Sequence, residues 1–315
     1  MASLFGPGFE SRQLHFFIKY VFIDSAQANK KIKYRLFAIF ILLNSFIFVN
    51  KKHNMDDSLF DKLQEFGGKL PKKFSILEDQ IDVDLQLEYF KFSKKNKVDK
   101  DFNIDNIFDL KTDEISIEEK KKILVQLAKI DDPKAFRIIE EFAKTAPQEL
   151  KDWTILALQE SRILLESSLL DENQVFISTG LGGKNNMLRY FVVFVGENVS
   201  EFSDFQKKII SSEFEFALKK QNCEFEEIIF EENYAMLTTL IPFNIAFQNM
   251  FRAIIEECNQ YGNFLSHNFI VTNVKKLTAK EITDFINNKL PEQNEIDNID
   301  DIEDIDLNTF DDDDE

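Results

Sequence analysis

The apolar residues change their period near residue 170, and that change limits the folds open to the chain. Between residues 113 and 169 apolar side chains recur at intervals of three and four, as an amphipathic helix requires. From Val175 onward they fall into short runs and alternations separated by glycine, asparagine and acidic residues, the pattern of strands. Helices followed by strands interleaved with further helices define an α+β class. A chain of 315 residues, 44% hydrophobic and with 34 phenylalanines, can fill two small cores.

Residues 113–170 form the helical unit. Ser116 and Glu119 have capping-box spacing and open a helix that presents Ile123, Leu124, Leu127 and Ile130. Asp132-Pro133 joins a capping carboxylate to a proline at the first helical position, ahead of Phe136, Ile139 and Phe142. Thr145 and Gln148 offer another box before a long helix with Leu150, Trp153, Ala157 and Leu164 on one stripe. The stretch DDPKAFRIIEEFAKTAPQELKDWTILALQESRILLE, residues 131–166, resembles a HEAT-type helical repeat. That resemblance implies a helix pair stacked on neighbours. An ordinary three-helix packing unit fits the same spacing.

Residues 173–290 read as an α/β domain. Strands are expected at Val175–Ser178, Leu188–Val195, Phe225–Glu231, Ala235–Ile241 and Phe269–Val274. A helix at Glu201–Gln221 is expected to bury Phe202, Phe205, Ile209 and Phe216. A second, capped by Asn244 and ended by Gly262, carries Phe247, Met250, Phe251, Ile254 and Cys258. Thr278 and Glu281 cap a closing helix. Strand, helix, hairpin, helix, strand is the order of a ferredoxin-like sandwich. In Tyr190–Val195 both alternating faces are apolar, so the sheet face not covered by those helices needs a cover. The helical unit, a second copy in a homodimer, or a protein partner could supply it. An RNA-recognition module would use such a face for stacking. Here, 11 Lys/Arg against 14 Asp/Glu in residues 173–290 deny it the basic footprint, and no nucleic-acid partner is expected.

Charge divides the chain. Residues 1–54 hold eight Lys/Arg against Glu10 and Asp24, a local +6; with a total of −18, the remainder carries −24. Lys30–Arg35 followed by the apolar run at 36–49 outlines a signal peptide or short anchor. Yet Gly8-Phe9-Glu10-Ser11 resembles a translated transfer-RNA T-arm, and an ordinary helical pattern opens at Met55. Residues 1–54 are therefore read as a mis-called start, with the leader as alternative. Translation from Met55 makes the protein cytoplasmic, with no membrane partner. Residues 55–112 read as a short helix, stopped at Gly67-Gly68, and an extended, mobile connector.

Chemistry is sparse. Gly180, Gly182, Gly183 and Lys184 are a candidate ligand-binding loop. A phosphate loop would continue into Ser or Thr and then a helix, whereas Asn185-Asn186 and a strand follow, so a hairpin turn is the stronger reading. With His15 and His53 in the leader, only His267 remains in the body, and Cys223 and Cys258 have no metal-ligand spacing. No cofactor is expected, and no catalytic residue is assigned. Residues 291–315 form a tail expected to be disordered, with 13 carboxylates in 292–315 and no Lys or Arg. Ile296, Ile299, Ile302, Ile305 and Phe310 punctuate it, and a merely solubilising tail would not need them. The function expected is that of a protein-binding adaptor whose acidic tail takes a basic partner. The alternative is a small-ligand or catalytic domain with its site near Gly180–Lys184.

Overall fold

Residues 17–22, 39–44, 46–49, 74–99, 102, 104, 110, 112, 114–170 and 175–286 are described by the computed structural model, the first three segments, Phe74 and Val175 by their backbone alone. The α+β class is present: helices dominate up to residue 170, and a mostly antiparallel sheet with helices follows.

Four helices make the first unit: α1 (Val83–Lys95), α2 (Ile117–Ala128), α3 (Pro133–Ala143) and α4 (Gln148–Leu170). The capping box Ser116–Glu119 opens α2, and Asp132 caps α3 ahead of Pro133. Thr145 does not cap α4; its hydroxyl donates back to the Phe142 carbonyl at 3.5 Å. The α2 and α3 helices pack along α4 through Leu124, Leu127, Ile139, Phe142, Leu150, Trp153 and Ala157, all buried.

Helix α1 lies where the sequence suggested an extended connector. Asp82 caps it by accepting from the Asp84 and Leu85 amides at 2.9 and 3.3 Å, and Lys94 and Lys95 favour its C-terminus. Its buried stripe, Val83, Gln86, Tyr89, Phe90 and Ser93, has helical spacing. Two of those positions are polar, and this masked the period.

The larger sheet is ordered β3-β10-β7-β9-β8, from β3 (Phe46–Val49), β7 (Met187–Gly196), β8 (Glu224–Glu231), β9 (Tyr234–Pro242) and β10 (Leu265–Thr272), with the short β6 (Gly183–Lys184) beside β7. Every neighbouring pair in it is antiparallel. Helices α5 (Asp204–Lys220) and α6 (Phe247–Asn259) cover one face, over Tyr190, Val192, Phe194, Leu237 and Phe269. The α6 stripe is buried as its spacing required, but Ala246, not Asn244, sits at its N-cap. In α5 the buried stripe is Ile210, Phe214 and Leu218, with Ile209 partly buried. Phe205 and Phe216 are 63% and 68% exposed, correcting the face expected from the sequence.

The second face is covered from within the chain. Leu277 and α7 (Ala279–Ile286), through Ile282 and Ile286, pack on Phe191, Val193, Val195, Met236 and Ile270. Thr278 and Glu281 form the expected cap, and the Tyr234 hydroxyl lies 3.1 Å from that of Thr283.

A smaller sheet, β1-β2-β5-β4, joins the two units through β1 (Phe17–Phe22), β2 (Ile39–Asn44), β4 (Phe74–Ile76) and β5 (Val175–Ser178). Alternation along β5 divides its side chains: Phe176 enters the helical core, and Ile177 enters the core under α5 and α6. The expected first strand of the α/β domain thus belongs to a separate sheet, as the wall shared by both cores. Part of the apolar run at 36–49 is also strand, β2 pairing parallel with β5 and β3 antiparallel with β10. Among the described residues no helix is long and apolar enough to cross a membrane.

Candidate functional site

The Gly180–Lys184 loop links that wall to the larger sheet. It leaves β5, turns through Gly180, Leu181 and Gly182, all buried, and enters the β6–β7 hairpin. The hairpin turn is Asn185-Asn186 with φ of 50° and 61°, so the expected Gly/Asn turn is there. The loop's glycines are dictated by backbone contact. A Cβ on Gly180 would stand 1.9 Å from the Val274 carbonyl oxygen. Gly182, at φ +67°, lies against the Glu78 and Asp79 carbonyls, where a Cβ would come within 2.5 and 2.6 Å.

The loop's polar groups are engaged inside the fold. The Leu181 amide donates to the Asn273 carbonyl at 2.9 Å, and the Gly182 amide to the Thr179 carbonyl at 3.3 Å. Arg189 donates to the Leu181 carbonyl at 2.8 Å and grips Glu226 with Nε and Nη2 at 2.7 and 2.9 Å. Gln86 of α1 donates to the Ile81 and Thr179 carbonyls at 2.8 and 3.3 Å, and the Ser178 hydroxyl donates to Gln86. Lys184 points outward and pairs with Glu224 at 2.7 Å, which raises its pKa. A phosphate cradle needs amides aimed at a ligand; here the Leu181 and Gly182 amides and the three glycines knit together residues 76–79, 179–189 and 273–274.

A second polar cluster escaped the sequence reading. Glu160 of α4, 1% exposed, accepts from the Tyr89 hydroxyl at 2.5 Å and the Ser93 hydroxyl at 3.0 Å. Lys129, just past α2, donates to the Ser93 carbonyl and to the Asn96 carbonyl at 2.7 Å, satisfying the C-terminal end of α1. Burial pushes the Glu160 carboxyl up, against the Tyr89 and Ser93 hydrogen bonds and the Lys129 charge. The Tyr89 hydroxyl is pushed well up by burial and by the neighbouring carboxylate, and burial lowers Lys129. Only the i, i+4 spacing of Tyr89 and Ser93 hinted at this, and only once the helix was known.

The remaining candidates separate. Cys223 and Cys258 are buried and free, their thiols pushed up by burial to about 11 and about 12. His267 lies half-buried in β10, beside its bulge. Among the described residues no group of three His, Cys, Asp or Glu is placed to hold a metal. Ile296, Ile299, Ile302, Ile305 and Phe310 lie outside the described residues. No protein-family model matches the chain, and no curated protein is significantly similar to it.

Proposed function

We propose that this chain is a non-enzymatic, cytoplasmic adaptor: a HEAT-like helical unit and a ferredoxin-like sandwich form its body, and its acidic C-terminal segment takes a basic protein partner. The observation that carries the reading is the segment's chemistry and its attachment. Thirteen carboxylates with regularly spaced isoleucines occupy residues 292–315, five residues beyond a helix packed onto the sheet through Ile282 and Ile286. The body thereby presents an acidic, apolar ligand from a fixed root. The ferredoxin-like reading draws support from the order β7-α5-β8-β9-α6-β10 and the strand sequence β10-β7-β9-β8. An acidic body argues for a protein partner over a nucleic acid.

Affinity capture from cell extract with the full chain and with residues 292–315 deleted tests the reading. Binding should depend on the segment and weaken with salt. Changing Ile299 and Ile302 to Ser should lower affinity without altering the salt dependence, whereas neutralising Asp311–Asp314 should flatten it. An interaction set unchanged by the deletion would sink the adaptor reading. The expectation that translation starts at Met55 is tested by N-terminal sequencing of the native protein. The homodimer and a ligand site reached from the Lys184 side are the other outcomes these samples can reveal, by sedimentation and by ligand-induced melting shifts.

A further inference from the structure

The outward face of α5 has the composition that the acidic segment needs. Phe205 and Phe216 are 63% and 68% exposed. They stand about three turns apart on one side of the helix, ~16 Å along its axis. Lys208, Ser212 and Lys219 fill the exposed surface between and beside them, Lys220 adjoins it, Glu215 lies on that stripe, and the partly buried Glu213 flanks Phe216 one turn back. In a chain of net charge −18, three lysines against two acids make this a locally cationic surface, by one charge, that displays two phenylalanines. Its complement is residues 292–315, with 13 carboxylates, no Lys or Arg, and Ile296, Ile299, Ile302, Ile305, Leu307 and Phe310 among them.

We propose that this C-terminal segment docks in its own chain along the outer face of α5, the isoleucines and Phe310 covering Phe205 and Phe216 and the carboxylates facing Lys208, Lys219 and Lys220. Reach permits it. The described chain ends at Ile286 on the sheet face opposite α5, and α5 lies over β8, the edge strand, through Phe225, Ile228 and Phe230. Passing around that edge means crossing from one helix layer to the other, ~20–30 Å at about 10 Å per layer. Ten extended residues span roughly 33 Å. Residues 287–296 therefore suffice, and they end at Ile296, where the apolar spacing begins. The path passes Ile229, 48% exposed on β8. Docked, the segment hides two aromatic rings and offsets three lysines, and a basic partner must compete for it. The contact is intramolecular, so it stands or falls independently of any partner.

The test uses the purified full chain alone. A photoreactive benzoylphenylalanine replaces Phe216, and in a second sample Phe205; both positions are exposed, and thermal melting reports that the body is intact. After irradiation, crosslinked peptides are mapped by mass spectrometry. The expected products join position 216 or 205 to residues 292–315 in species of monomer mass. Their yield should fall several-fold between ~0.1 M and ~1 M salt, as the screening length shrinks from about 10 to about 3 Å. It should fall likewise in K208E/K219E. Crosslinks between two chains would make a second copy the occupant and overturn the proposal. Crosslinks confined to the body, none at all, or a yield indifferent to salt and to the lysines would overturn it equally. Loss of partner capture on tail deletion would still support the adaptor reading.

Discussion

Replacing Glu160 tests whether a buried carboxylate holds α1 to the rest of the helical unit. The side chain is 1% exposed and is the acceptor for both the Tyr89 and Ser93 hydroxyls. Glu160→Leu leaves those two buried donors without it, at about 1–3 kcal/mol each. The loss is moderated because a desolvated carboxyl group is also removed, so the expected cost is about 3–4 kcal/mol. At roughly 2–4 °C per kcal/mol, melting should fall by about 10 °C. Glu160→Gln keeps an acceptor for Tyr89, and its amide can donate to Ser93, so its cost should stay within about 1 kcal/mol. The pH dependence follows from the direction of the shift. Burial places the folded-state pKa of Glu160 above its unfolded value, so the folded protein takes up a proton while the unfolded chain is still ionised. That contribution to stability is fully present below the unfolded pKa, near 4.3, and is lost as pH rises through the folded one. Wild type should therefore gain on Glu160→Gln as pH falls from ~7 toward ~4.5. Circular-dichroism melts of the three proteins across that range, with amide exchange over residues 83–95, measure both effects. A Leu variant as stable as wild type, or a Gln variant as damaged as Leu, would refute the closed cluster. A wild-type-minus-Gln difference flat in pH would refute the upward shift of the Glu160 carboxyl.

Phe251→Ala should cost about 3–5 kcal/mol in denaturant titration, because the 0%-exposed ring meets Phe194, Phe269 and Phe247 at 5.5, 5.8 and 6.2 Å; a cost below about 1 kcal/mol contradicts that packing. Gly182→Ala should cost at least ~2 kcal/mol, since a Cβ at φ +67° would meet the Glu78 carbonyl at 2.5 Å, and amide exchange should quicken first at residues 74–79. Thr278→Ala should cost about 1 kcal/mol by removing the α7 cap, with increased dye binding, as α7 loosens from Phe191, Val193 and Val195, as its signature. Lys275 and the Thr278 cap hold the Glu281 carboxyl down at about 2, so its stabilisation of α7 is present above the unfolded pKa and should fade as pH falls toward that value.

Wherever an amphipathic stripe and a cap agreed, the element was legible in the sequence. Ser116–Glu119, Asp132-Pro133 and Thr278–Glu281 each open a helix, and Leu150, Trp153, Ala157 and Leu164 are all buried on α4. The two-faced apolar pattern of Tyr190–Val195 also foretold a covered sheet. What covers it did not follow, because α7 contributes only a few apolar residues, one of which precedes the helix. The bond between the units was equally hidden. Ile177 and Phe176 are adjacent and both apolar, so nothing local shows that they serve different cores. Helix α1 was lost because Gln86 and Ser93 occupy its buried stripe, where they satisfy partners that folding alone brings near: Thr179 for one, Glu160 for the other.

The misread face of α5 has a different origin, and it bears on the interaction surface. Four aromatic rings in one helical region invite the assumption that all point inward. Burial is set by the stripe that meets β8 and α6, and Ile210, Phe214 and Leu218 fill it completely at 0% exposure. Phe202 is buried ahead of the helix against Phe230 and Phe264, so it adds nothing to the inward stripe. Phe205 and Phe216 are then in excess of what this core can hold. Single exposed apolar residues are ordinary. Two rings on one stripe, among lysines in a strongly acidic protein, form a surface whose chemical opposite is carried elsewhere in the same chain. The spacing that misled the assignment of the core is therefore what singles out α5 as a contact surface.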